Sequence, residues 1–116
     1  MRLIPRLTKR RKIRVNSGLP PGTIVFTGKQ KVKDVSIHYM EFDEMTVNNE
    51  RCDPGEFLNV HRPTDKYVQW YDVRGLHDTD LIRSLGETFS LHPLVQEDIA
   101  NTTQRPKYEE FEEGIF

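Results

Sequence analysis

Glu97 and Asp98 are neighbouring carboxylates in a short segment opened by Pro93, and acids so placed point to cation chemistry. Hard ions such as Mg2+ take oxygen ligands, keep much of their hydration shell and need only one or two protein carboxylates when another chain element completes the site. The same pair also reads as an ordinary solvated helix face, because acids are mostly exposed residues. Glu109, Glu110, Glu112 and Glu113 form a second acidic group that would attract divalent cations weakly, or simply stay solvated. His38, His61, His77 and His92 are too dispersed to read as a metal-binding box, and His92 has a structural role open to it at the entry to the Pro93 helix. Cys52 is the only cysteine. It excludes an intrachain disulfide and a cysteine-built zinc site, fits a reducing compartment, and reads as an ordinary thiol beside Arg51.

Enzyme chemistry has little support. The sequence contains no Gly-rich phosphate loop, HExxH, CxxC, GxSxG or EF-hand loop, so a non-enzyme with no organic cofactor is expected. Net charge is -1, yet Arg2, Arg6, Lys9, Arg10, Arg11, Lys12 and Arg14 crowd the start while the glutamates crowd the end. The basic arm lacks interleaved aromatic residues for base stacking, so nucleic acid is not expected; a solvated tail or a contact with anionic lipid headgroups fits better. Asn101-Thr102-Thr103 matches a glycosylation acceptor, which has no meaning without export.

The elements that must position these groups follow from periodicity. With 116 residues, 35% hydrophobic and 30% charged, the chain suits one folded domain with a modest core. Residues 1–16 read as a mobile basic arm and 17–116 as the domain. Thr23–Thr27 (TIVFT) is β-branched and aromatic, which predicts a strand. Val32–Phe42 alternates, with Val35, Ile37 and Tyr39 on one face. Asp43–Asp65 predicts a loop with at most one short helix or strand. Tyr67–Val73 (YVQWYDV) predicts a strand with Val68 and Trp70 opposite Tyr67, Gln69 and Tyr71. Asp78 caps a helix carrying Leu81, Ile82, Leu85 and Phe89 on one stripe, with Gly86 weakening it by about 1 kcal/mol relative to Ala. A second helix starts at Pro93, with Leu94, Val95 and Ile99 inward, Glu97 and Asp98 at the margin, and an end at Asn101–Thr103. Tyr108 and Phe111 lead to Ile115-Phe116, read as the opening of another strand. Strands followed by helices predict an α/β layered sheet with covering helices, its sheet incomplete at the C-terminus and its free edge liable to aggregate. No run approaches the ~18 apolar residues that cross a bilayer.

Several of these segments together resemble the CorA family of magnesium and cobalt channels. They are Pro21-Gly22-Thr23 with Thr27-Gly28, YVQWYDVRG over Tyr67–Gly75, Leu85-Gly86, Leu91-His92-Pro93-Leu94, Glu97-Asp98-Ile99, Asn101 and Gln104-Arg105-Pro106-Lys107. The resemblance implies a cytoplasmic α/β domain that assembles as a homopentameric funnel. It also implies a regulatory Mg2+ (or Co2+) site between subunits that uses Asp98, with Glu97 in a neighbouring site. The family's long following helix, two membrane spans and Gly-Met-Asn pore signature are not in this sequence. The expected reading is therefore the divalent-cation-sensing N-terminal part of a membrane transporter, on the cytoplasmic side, soluble if expressed alone. The other readings are the same domain of a zinc-transporting relative, or a small module that uses its basic arm on nucleic acid or anionic membrane.

Overall fold

The computed structural model describes residues 18–112 and 114–116; the basic arm of residues 1–16 and Glu113 lie outside the described residues. Eight elements follow in order: β1 (Ser36–Phe42), β2 (Val47–Cys52), α1 (Pro54–Val60), β3 (Val68–Arg74), α2 (Thr79–Thr88), α3 (Pro93–Ala100), β4 (Glu110–Phe111) and β5 (Gly114–Ile115). The architecture is mixed α/β, with an antiparallel three-stranded sheet in the order β2-β1-β3 and helices against one face.

Alternation in β1 does what it predicts. Ile37 and Tyr39 point to the inner face and are buried, while Met40 lies on the other side. Their cross-strand partners on β3 are Val73 and Tyr71, so the inner face continues across the sheet. Phe57 of α1 and Leu81 of α2 close over it, flanked by Val35, Leu58, Leu85 and Phe89. Ring packing gives this core its shape: Tyr39, Phe57, Tyr71 and Phe89 follow one another with centroids 6.2, 5.1 and 4.9 Å apart, tilted or edge to face as aromatic quadrupoles prefer.

Asp78 accepts the Leu81 N–H at 3.0 Å and caps α2. The same helix ends in a Schellman arrangement, with the Leu91 N–H donating to the Gly86 carbonyl at 2.9 Å and Ser90 in the left-handed region at φ 53°. Gly86 is buried because Gln96 of α3 lies directly on it; a Cβ there would sit 2.2 Å from Gln96 Cδ. The glycine that looks like a flaw in α2 is the place where α3 makes its close approach.

Three expectations need correction. Thr23–Thr27 is not a strand, and only Thr27 pairs, in an isolated parallel bridge to Asn101. Its β-branched residues have no neighbouring strand to extend among the described residues. Asp43–Asp65 holds both a strand and a helix. β2 (VNNERC) carries almost no apolar signal because it is an exposed edge, and α1 starts at Asp53-Pro54, a capping residue followed by proline. Leu94 is 44% exposed rather than inward. It lies in the first turn of α3, whose inner positions go to Val95, Gln96 and Ala100. Finally, the strand read at Ile115 is present but does not extend the main sheet. It is β5, which pairs only with β4 in a separate two-stranded hairpin.

Candidate functional site

α3 presents both candidate carboxylates. His92 caps it, accepting the Leu94 N–H on Nδ1 at 3.2 Å, and Pro93 supplies a first-turn residue with no N–H to satisfy. With Val95, Gln96 and Ala100 buried, the helix turns Glu97 and Asp98 to its half-buried margin. Their partners differ. Glu97 Oε2 accepts the Gly22 N–H at 2.8 Å and so pins the N-terminal loop to α3. Gly22 adopts φ +82° there, and a Cβ would lie 3.0 Å from that of Pro93, so the position suits glycine on two counts.

Asp98 faces the C-terminal hairpin instead. Its Oδ2 pairs with the Lys107 ammonium, which also contacts Glu109 Oε2 at 3.0 Å and lies 5.7 Å above the centre of the Phe116 ring. Asp98 first, then Glu109, pushes the Lys107 pKa up by hydrogen bonding to its charged form. The Asp98 carbonyl accepts from Asn101 N–H at 3.1 Å and from Gln104 Nε2 at 2.8 Å, which fixes the helix end. The Asp98 side chain keeps 21% of its exposure and that of Lys107 34%, so the pair sits at the surface rather than in the core. The hairpin is held near by stacking of Phe111 on His92, centroids 5.1 Å apart.

The neighbouring acids thus serve different elements. Among the described residues, neither belongs to a group of three metal-type donors close enough to surround an ion. Of the second acidic group, Glu109 joins Lys107, and Glu110 accepts the Tyr108 hydroxyl at 2.6 Å.

Among the described residues, Glu50, Cys52 and His61 are the group that does converge, with one ligand atom from each within 4.8 Å of the others. In the sequence Cys52 stands as an ordinary thiol and His61 as one of four dispersed histidines. They lie nine positions apart, but the short helix α1 runs from beside the end of β2 and returns His61, its C-cap, to that strand. The Asp53-Pro54 helix start was the available signal. His61 is clamped between Phe57, stacked at 4.5 Å and 17°, and Tyr39 at 4.2 Å. Burial, then the hydrogen bond to Glu50, pushes the Cys52 thiol pKa up.

What this geometry defines is a small mixed α/β domain, an antiparallel three-stranded sheet with helices against one face and the acidic margin of α3 beside the C-terminal hairpin. The family model described as "CorA-like Mg2+ transporter protein" matches residues 65–116, which include β3, α2, α3 and the hairpin. The cobalt/magnesium transport protein CorA of Thermotoga maritima is 41% identical over 112 residues, an alignment that covers 91% of this chain. This chain spans about 30% of the length of that relative. The chain belongs to the CorA family of magnesium and cobalt transport proteins. No helix among the described residues is long and apolar enough to cross a membrane.

Proposed function

We propose that this chain is the cytoplasmic, cation-responsive part of a CorA-type magnesium and cobalt channel, in which Asp98 supplies a sensing carboxylate and Glu97 supports a neighbouring position. The observation that carries the reading is the Asp98–Lys107 pair at the margin of α3. A partly exposed surface pair of this kind is worth only about 1 kcal/mol, so a divalent cation bridging Asp98 to a carboxylate of another subunit can displace the ammonium. Two carboxylates about 4 Å apart repel by roughly 4 kcal/mol at an effective dielectric constant near 20. A bound Mg2+ reverses the sign of that interaction. In a homopentamer, cation binding between subunits then favours a closed symmetric arrangement, and depletion releases the subunits toward conducting states. The cation acts as both cargo and regulator.

The test uses a full-length transporter carrying this chain. Asp98→Asn is expected to raise the intracellular Mg2+ concentration needed for half-inhibition of uptake, and Lys107→Gln, which removes the competing ammonium, to lower it. Inhibition unchanged in Asp98→Asn would overturn the assignment.

A further inference from the structure

We propose that Glu50, Cys52 and His61 form a three-ligand site for a borderline divalent transition cation, Zn2+ or Co2+, at the edge of the sheet. Cys52 Sγ and His61 Nε2 are 3.8 Å apart, His61 Nε2 and Glu50 Oε1 3.3 Å, and Cys52 Sγ and Glu50 Oε1 3.5 Å. A tetrahedral ion with bonds of about 2.3 Å to sulfur, 2.05 Å to nitrogen and 2.1 Å to oxygen places its donors about 3.6, 3.4 and 3.6 Å apart in the same order. The triangle already present matches one face of that tetrahedron to within roughly 0.2 Å per edge.

Donor chemistry selects the ion. A thiolate, an imidazole and a carboxylate suit Zn2+ and Co2+, whereas Mg2+ demands oxygen ligands in octahedral geometry. Three protein donors leave a fourth position, as in sites that keep a water or an exchangeable ligand. There is room for it: Glu50 and His61 also line an open depression with Tyr39, Glu41, Arg62 and Gln69. The site is prearranged where rigidity matters. The imidazole is held by its ring contacts to Tyr39 and Phe57 and is 12% exposed, while Glu50, 59% exposed, is free to adjust. All three residues precede the segment matched by the family model, and the site is independent of the Asp98 reading.

The full 116-residue chain, reduced with a non-coordinating phosphine, is titrated with Co2+ alone and followed by absorption. The expected result is one equivalent bound, with a sulfur-to-cobalt charge-transfer band and the intense visible bands of tetrahedral Co2+, both bleached by one equivalent of Zn2+. Cys52→Ser should abolish the charge-transfer band. Glu50→Gln, an exposed change that leaves the core untouched, should weaken binding at least ~10- to 100-fold, the scale seen when even an outer contact of a metal ligand is lost. Asp98→Asn should bind as the parent does, and Mg2+ in excess should not compete. A parent chain without the charge-transfer band, a band that survives in Cys52→Ser, unchanged affinity in Glu50→Gln, or one ion shared by two chains would each overturn the site.

Discussion

Tyr39 shows how much one residue carries. Its ring lies against Phe57, His61 and Tyr71, and its hydroxyl donates to Glu41 and accepts from Gln69 Nε2 at 3.2 Å. Burial, reinforced by the hydrogen bond to Glu41, pushes its pKa from 10.0 to about 12. Tyr71 shifts in the same direction, mainly through burial, and its hydroxyl has no hydrogen-bond partner among the described residues. Both phenols favour the neutral form in the folded chain. Because the folded value exceeds the unfolded one, their contribution is complete below pH 10.0, and for Tyr39 it is lost as pH rises to about 12. The loss from Tyr39 is on the order of 2 kcal/mol. Urea unfolding at a series of pH values should show stability falling across that window, and the fall should flatten when Tyr39 and Tyr71 are both changed to Phe. An equally steep decline in the double variant would place the alkaline sensitivity elsewhere. At this scale the sequence places Tyr39 on one face of its strand with Val35 and Ile37. It could not reveal Glu50, Cys52 and His61 as a group, because their meeting depends on where α1 sets down its last residue.

Among the elements, α2 and α3 depend most on a single contact. Gly86 costs α2 about 1 kcal/mol in helix propensity, which alone would make Gly86→Ala stabilising. The structure reverses the expected sign. The new methyl would fall on the Gln96 amide, which is buried and donates to the Leu91 carbonyl at 2.8 Å. Moving that amide leaves the carbonyl unsatisfied at about 1–3 kcal/mol, more than the propensity gain. Gly86→Ala should therefore destabilise the chain by roughly 1 kcal/mol, yet stabilise it by a similar amount in a Gln96→Ala background. Denaturant midpoints of the four chains measure this directly, and the same sign in both backgrounds would remove the close-packing account. The elements themselves were legible wherever a buried face imposed a period or a cap marked a boundary, as in β1, β3, α2 and the start of α3. Legibility failed at β2, an exposed edge strand with no apolar face, and at Thr23–Thr27, whose strand-like residues join no strand ladder among the described residues beyond the isolated bridge to Asn101. In both segments the deciding factor is a neighbour, or its absence, that local sequence does not record.

Across the whole molecule the sheet is finished on one side only. The inner face is closed by α1 and α2, but the outer face leaves Val47, Val68 and Trp70 more than half exposed, with Met40 beside Trp70 in the register. β1 and β3 alternate, so Val68 and Trp70 follow from the same periodicity that fills the core, while Val47 opens the exposed edge strand β2. The sequence showed that Val68 and Trp70 share a face, but not whether that face is covered, since alternation separates two sides without saying what lies against either. Trp70 is the only tryptophan and is 65% exposed, which makes it a direct reporter. In the 116-residue chain its emission should be that of a hydrated indole, fully accessible to acrylamide and nearly unchanged in wavelength on unfolding. Dilution should leave it constant. Blue emission that moves to the red on dilution would mean that copies of the chain cover this face for one another, and Trp70→Arg should then abolish the shift. Blue emission unaffected by dilution would contradict the outward placement of Trp70 itself, and with it the register of β1 against β3, because a one-residue slip carries every side chain of a strand to the opposite face.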